Sequence, residues 1–228
     1  MKYLLILFLI ACINSNSLAQ GKSIRVKAGE DLAQAYSPNG FYRFPQFLKA
    51  VVYYKNGGPS SGPLFNYNLL SGNMQFINQK GDTLDIGDPG NFDSLVFDKS
   101  VFVYKEGFME MVASSDSVRL LKKLVLRTQA ENIGAYGLPN STASITNMKN
   151  FTTGTSVYSL VINQDVILDE NISWFFSSGG NTVKASKSNL LKILPGDKAA
   201  RAEAYLRQNK TSFEKETDLR KLMAAIAG

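Results

Sequence analysis

The chain has 228 residues, 44% of them hydrophobic and 19% charged, with a formal net charge of +6; this suffices for one large domain or two small ones. It contains no histidine. That excludes Ser-His-Asp, Cys-His and zinc-water chemistry in their usual forms, because histidine is the commonest general base and transition-metal ligand.

Met1–Ala19 has the plan of a secretory signal peptide, with Lys2 as the charged start, Tyr3–Ile13 as the apolar stretch and Ser17-Leu18-Ala19 as a small-x-small cleavage site. Leu9-Ile10-Ala11-Cys12 also fits a lipoprotein-type box, which leaves lipidation at Cys12 as the alternative to cleavage after Ala19. Neither this run nor any later one has the roughly 18 apolar residues of a spanning helix. The expected location is secreted, periplasmic or associated with the outer membrane.

Gly21–Pro45 is weakly patterned, with a turn at Pro38-Asn39-Gly40 and aromatics crowding around Pro45 as a lid on the core. Ala50–Lys55 reads as a strand. Leu64–Ile86 reads as three strands with one face buried: Phe65 and Tyr67 alternate with Asn66 and Asn68, Met74 and Phe76 with Asn73 and Gln75, Leu84 and Ile86 with Thr83 and Asp85. Ser71-Gly72 and Lys80-Gly81-Asp82 supply the turns. Ser94–Phe97, Ser100–Lys105, Gly107–Ala113 and Val118–Arg127 continue a hairpin-linked antiparallel meander. Residues 128–154 are rich in Asn, Ser, Thr and Gly and read as a long polar loop, of the kind that binds something or stays disordered. Ser156–Ile162, Val166–Asp169, Trp174–Ser177 and Thr182–Ala185 resume the strands, the last two joined at Ser178-Gly179-Gly180-Asn181.

After Ser186 the period changes to that of helices. Leu190, Leu191 and Leu194 fit a first helix capped by Ser186 or Ser188. Asp197 is expected to cap a second over Lys198–Asn209, with a Glu203–Arg207 pair. Thr211–Ala227 forms a third, with a Leu219, Leu222, Met223, Ile226 stripe and a Glu216–Arg220 pair. The expected organisation is a signal peptide (1–19), a strand-rich body (20–185) and a helical segment packed on it (186–228). The fold class is α+β: an antiparallel meander or half-open barrel with three short C-terminal helices. From Lys184 to Gly228 there are ten Lys/Arg against five Asp/Glu, so the basic character belongs to this tail.

The stretches AVVYYKNGG, LFNYNLLSGNMQFINQKGDTLDI, FVYKEGFMEMV, AYGLP and the ending KSNLLKILPGDKAARAEAYLRQNKTSFEKETDLRKLM together resemble secreted Bacteroidota proteins of unknown function over most of Phe41–Ala227. The resemblance implies an envelope location and a strand-rich body with a helical C-terminus. It transfers no catalytic residue. The first half also resembles MORN-type hairpin repeats, without their regular glycine spacing.

Several residue groups carry candidate chemistry. Asp82, Asp85, Asp88 and Asp93 sit in a Gly-rich stretch, where carboxylates and turn carbonyls can gather around calcium; their spacing is not that of an EF-hand, and aspartate suits turns on its own account. Asp82-Thr83, Asp93-Ser94 and Asp116-Ser117, each followed by an apolar residue, fit the Bacteroidota O-glycosylation pattern implied by the resemblance, at Thr83, Ser94 and Ser117. Glu106, Glu110, Asp169 and Glu170 are the carboxylates available to a hydrolase without histidine. Ser186-Lys187-Ser188 or Ser115 could serve Ser-Lys chemistry, although a capped helix start explains the former. The basic C-terminal helices could meet phosphates, but their charges are interleaved with acids as on a solvated surface. Tyr53, Tyr67, Phe76, Phe102, Tyr104, Phe108, Trp174 and Phe176 lie on expected strands and could line a pocket for an apolar ligand, or simply form core.

The leading expectation is a non-catalytic structural or interaction module of the envelope, its partner another envelope protein. The alternative is a periplasmic carrier of a lipid or other apolar ligand in a curved sheet, and the third reading is a carboxylate-dependent hydrolase. No cofactor, metal or nucleic acid is implied.

Overall fold

The computed structural model describes residues 21–130, 132–133, 139–140, 162 and 164–227. The expected signal peptide, with Cys12 and Ala19, lies outside the described residues, as do most of the expected loop 128–154 and of the strand Ser156–Ile162.

The chain opens with β1 (Ser23–Val26) and the short helix α1 (Leu32–Tyr36). Asp31 caps α1, accepting from the N–H groups of Ala33 and Gln34 at 2.9 and 3.0 Å. Neither element stands out in the sequence: four residues carry too little period to read, and the partner of β1 lies far along the chain. Strands β2 (Leu48–Tyr54), β3 (Ser60–Asn68), β4 (Asn73–Ile77) and β5 (Thr83–Asp85) form a first meander. Gly72 and Gly81, both at positive φ, occupy its two tight turns. A second meander runs through β6 (Phe92–Val96), β7 (Val101–Tyr104), β8 (Phe108–Ser114) and β9 (Arg119–Ala130). A small hairpin pairs β10 (Asn132–Ile133) with β11 (Pro139–Asn140), and β12 (Val166–Ser178) and β13 (Asn181–Lys184) complete the strands. Helices α2 (Lys187–Ile193), α3 (Gly196–Gln208) and α4 (Glu216–Ala227) end the chain.

Apart from the β10–β11 hairpin, the described strands form one 11-stranded antiparallel sheet in the order β1-β12-β9-β8-β7-β6-β2-β3-β4-β5, with β13 on the same edge of β12 as β1. The expected class, α+β with a strand-rich body, is what the chain adopts, and the sheet is not closed. Chain order breaks at two points in this sheet: β1 lies beside β12 and not β2, and β6 does not follow β5. After β5 a 3₁₀ turn at Pro89–Asn91 returns the chain to β2, where the Lys55 N–H donates to the Asn91 carbonyl at 3.0 Å, so β6 pairs with β2 instead of β5. Irregular register in β2 and β8 bends the sheet.

The sheet departs from the expected pattern in two places. The segments Val166–Asp169 and Trp174–Ser177, expected as separate strands, are one strand whose register with β9 runs unbroken from Val166↔Ala130 to Ser177↔Arg119. The polar run Asp169-Glu170-Asn171 is not a turn. The other departure is on the polar side of β3 and β4. Asn66, Asn68 and Gln75 are 1%, 8% and 7% exposed, although alternation placed them towards solvent. The preceding segment covers them: Tyr42 bridges to Asn68, and the Arg43 N–H donates to the Tyr67 carbonyl at 2.9 Å. Pro45 has no N–H to extend that ladder. Asn66 substitutes for it: its Oδ1 accepts from the Phe44 N–H at 3.1 Å, and its Nδ2 donates to the Phe44 and Gln46 carbonyls at 3.0 and 3.2 Å.

One face of the sheet, here the inner face, carries two cores. The first gathers Val52, Phe65, Tyr67, Leu95, Phe102, Phe108, Leu126 and Leu168 with Leu32 from α1. The second packs Leu120, Trp174 and Phe176 under the helices. Every residue of the expected α4 stripe, Leu219, Leu222, Met223 and Ile226, is buried there. Ser186 caps α2, with the Asn189 N–H donating to its Oγ at 3.2 Å. Asp197 does not cap α3, which starts at Gly196 behind Pro195, two residues earlier than expected; it lies in the first turn and pairs with Arg201 at 3.0 Å, which holds its carboxyl below the usual range. The Glu203–Arg207 and Glu216–Arg220 pairs form at 3.0 and 2.9 Å.

Asn66→Ala leaves the half-buried Phe44 N–H and C=O without their partner, a change expected to cost about 2 kcal/mol. Urea unfolding of this variant against the parent measures it; a loss under about 0.5 kcal/mol, the size of a neutral surface change, contradicts the role given to Asn66.

Candidate functional site

The two cores share the inner face of β9 and β12 and come together only at the cross-strand pair Leu124–Ile172. On either side of that pair one side chain turns polar: Lys122 on β9, opposite Trp174, and Glu170 on β12, opposite Leu126. A cleft of about 540 Å³ opens over this stretch. Lys122, Leu124 and Glu170 form part of its lining, together with Tyr36 and the segment after α1 that includes Asn39, Tyr42 and Arg43. Its lining thus contains three cations, Lys22, Arg43 and Lys122, against one carboxylate, Glu170.

Glu170 is held from two sides. Its Oε1 accepts from the Tyr36 hydroxyl at 2.8 Å, and its Oε2 accepts from the Lys22 N–H at 3.1 Å. The Lys22 ammonium donates to the Tyr36 carbonyl at 2.9 Å and lies 5.0 Å from the Tyr36 ring centre. At the other end Arg43 donates through Nε and Nη2 to Glu110 at 3.3 and 3.2 Å, with its guanidinium 5.4 Å from the Phe44 ring centre. Ser100 also donates to Glu110, at 3.2 Å. Lys122 is placed 3.7 Å from Glu216 and 5.7 Å from the Trp174 ring centre.

Burial pushes the Tyr36 hydroxyl well above its ordinary value, and the hydrogen bond to Glu170 pushes it the same way. Tyr42 is raised by burial and then by the charge of Asp85. Both tyrosines therefore stay protonated at neutral pH and act as donors, not bases.

The carboxylates singled out in the sequence do not gather. Glu110 stands opposite Lys122 in register, and Lys122 opposite Trp174; Glu170 is four residues further along β12. Their backbones are thus on the order of 15 Å apart, from strand spacing and rise, and Glu170 lines the cleft whereas Glu110 is not among its lining residues. Asp169 is on the opposite face from Glu170, and Glu106 offers its carbonyl to the Lys123 ammonium at 3.0 Å. Among the described residues no cluster of three or more acidic or sulfur side chains could hold a metal ion. Asp82 and Asp85 instead accept side-chain amides of Asn78, Asn73 and Gln75, Asp88 accepts the Gly90 N–H, and Asp93 the Ser94 hydroxyl.

None of the eight aromatics suggested for an apolar pocket lines the cleft. Tyr67, Phe102 and Phe108 are buried in the first core, with Phe76 and Tyr104 packed against it; Trp174 and Phe176 are buried in the second, and Tyr53 is 41% exposed. Of the expected O-glycosylation positions, Thr83 is half-buried on the edge strand β5, Ser94 is half-buried in β6 between β2 and β7, and the Ser117 Oγ is buried without a hydrogen-bond partner. Ser186 is taken up in capping α2, and the Ser115 hydroxyl donates to the Val118 carbonyl at 3.4 Å. A smaller recess of about 270 Å³ between α3 and α4 includes Lys210, Lys215 and Asp218.

Of the cleft residues, only Glu170 carries a functional reading in the sequence. Two signals point to the others: Lys122 interrupts an inward apolar row on β9, and Asp169-Glu170-Asn171 interrupts β12 four residues from the level of Lys122. No protein-family model matches this chain, and no curated protein or solved structure matches it either. The likeness to secreted Bacteroidota proteins rests on the sequence stretches that carry it.

The hydroxyl of Tyr67, in the first core, is likewise pushed far above its ordinary value near 10, chiefly by burial and then by the charge of Glu110. A raised folded-state value contributes stability that is intact below pH 10 and is lost as pH rises beyond it, because the unfolded chain releases the proton first. Stability is expected to fall as the pH climbs past 10, and less steeply in Tyr67→Phe. Urea midpoints from pH 9 to 11.5 test this; parallel curves for the two proteins contradict it.

Proposed function

We propose that this chain is a non-catalytic interaction module of the cell envelope, exported by its N-terminal segment, and that its partner or ligand docks in the inner-face cleft. The observation that carries the reading is the composition and placement of the cleft. It lies between two filled cores, on the most extensively paired strands of the sheet, and is walled by hydrogen-bond donors and charges that the surrounding structure already orients. Such a wall suits recognition, since pre-oriented polar groups lose little entropy on binding. The envelope location draws on the Met1–Ala19 pattern and on the family resemblance. Among the described residues, no helix is long and apolar enough to cross a membrane.

The carrier reading calls for a cavity walled by the strand aromatics, and seven of the eight pack into or against the cores while Tyr53 is exposed. The hydrolase reading calls for two carboxylates across one cleft, and of Glu110 and Glu170 only Glu170 is among its lining residues.

Asn39 is exposed, lies in a turn and forms part of the cleft lining. Asn39→Trp is expected to obstruct the cleft and leave folding intact. Native mass spectrometry of residues 20–228, recovered from envelope extract without detergent, should show an adduct on the parent and none on the variant. Equal adducts on both, or none on the parent, overturn the reading.

A further inference from the structure

We propose that the cleft seats an oxyanion of its ligand, a carboxylate or a phosphate, between Arg43 and Lys122. This rests on the cleft being the docking site and adds the chemistry of what docks.

The starting observation is an exchange of partners. Lys122 stands directly opposite Glu110 in the β8–β9 register, close enough for a cross-strand ion pair. That pair does not form. Arg43 reaches in from the segment after α1 and takes Glu110 with two N–H groups. Lys122 turns to Glu216, at 3.7 Å, outside hydrogen-bond range. The other oxygen of Glu216 already accepts from Arg220 at 2.9 Å. Lys122 is thus a cation with 20% of its side chain exposed, held over Trp174, with a distant and shared counter-charge. An ammonium has three donors, and desolvating it without acceptors is costly.

Arg43 complements it. Glu110 uses its Nε and Nη2, so the Nη1 edge remains for a second acceptor, and contact with Phe44 and Glu110 fixes the plane of the fork. A planar guanidinium held in this way matches carboxylate and phosphate oxygens, and a neighbouring ammonium adds a point charge. Both residues line the cleft. The carboxylate that shares the lining, Glu170, is occupied by Tyr36 and the Lys22 N–H at the other end.

Titration calorimetry at low salt tests the seat, with pyrophosphate and citrate as probes. At least one is expected to bind the parent with unit stoichiometry. Binding of citrate alone identifies a carboxylate-bearing ligand, and of pyrophosphate alone a phosphate-bearing one. Arg43→Gln and Lys122→Met should each weaken binding about tenfold or more, the effect of losing a charged hydrogen bond, whereas Lys122→Arg retains it. Lys187→Met, which removes an exposed charge on α2, should leave it unchanged. Failure of both probes to bind the parent overturns the proposal, as does equal weakening by Lys187→Met. Should Lys122→Met not fold, Arg43→Gln, on a partly exposed side chain outside the helices and long strands, decides alone. The two levels separate cleanly. If Asn39→Trp removes the envelope adduct but neither probe binds, the docking site stands and the oxyanion seat falls. If the probes respond to Arg43 and Lys122 while the adduct ignores Asn39→Trp, the seat stands and the proposed function falls.

Discussion

The pairing of β9 with β12 is the constraint on which the rest depends. The two strands run together along the whole of β9, roughly 40 Å at the rise of an antiparallel strand. Because side chains alternate, one register fixes which face every residue takes. Leu120, Lys122, Leu124, Leu126 and Thr128 therefore all share a face with Phe176, Trp174, Ile172, Glu170 and Leu168. At one end this face meets the C-terminal helices. At the other it meets Tyr67 and Leu69 of the β3–β4 hairpin, where the Leu126 N–H donates to the Leu69 carbonyl at 2.8 Å and the Tyr67 hydroxyl to the Leu124 carbonyl at 3.0 Å. A slip of one residue would turn both cores outward at once. Two separate packing problems are thus solved by a single ladder.

The same ladder explains how the sheet is finished without closing. A strand edge left bare invites further pairing. Here β12 has its outer edge covered in two places, by β1 and Lys22 near its start and by β13 and Ala185 near its end, with Asn171–Ser173 between them. The gap coincides with the level of the cleft. The first strand of the described chain thus pairs with one near its end, and the Glu170 contacts to Lys22 and Tyr36 anchor the N-terminal region where the polar stretch begins.

How much the sequence discloses depends on the range of the interactions. The β3–β4–β5 hairpins, the two-glycine turn before β13 and the α4 stripe depend on residues close in the chain, and their periods can be read directly. Strand β1 and helix α1 cannot be read, because a short strand gains its identity from a distant partner. Asn66 shows a different kind of failure. Period two correctly separates Phe65 and Tyr67 from Asn66 and Asn68, but it cannot say that a neighbouring segment will cover the polar side. There the amide of Asn66 becomes a piece of backbone, completing a ladder that Pro45 interrupts. The cleft is half legible: the polar break in β12 is visible, yet without the β9 register it looks like a turn between two strands.

That polar break also bears on why the two cores join only narrowly, at Leu124 and Ile172. Apolar side chains at 110, 122 and 170 would extend the inner-face core from Phe102 and Leu126 across to Trp174, burying further apolar area at a gain of about 25 cal/mol per Å². Ion pairs at half-buried positions contribute little to stability and are often improved upon by well-packed hydrophobic residues. The chain instead holds Glu110, Lys122 and Glu170 there, and supplies Arg43, Tyr36 and Glu216 from three separate segments to meet them. An arrangement that forgoes available packing while orienting each charge from outside the sheet is better suited to meeting a ligand than to holding the fold together. On this view the cleft is where stability gives way to recognition, and the filled cores on either side are what make that concession tolerable.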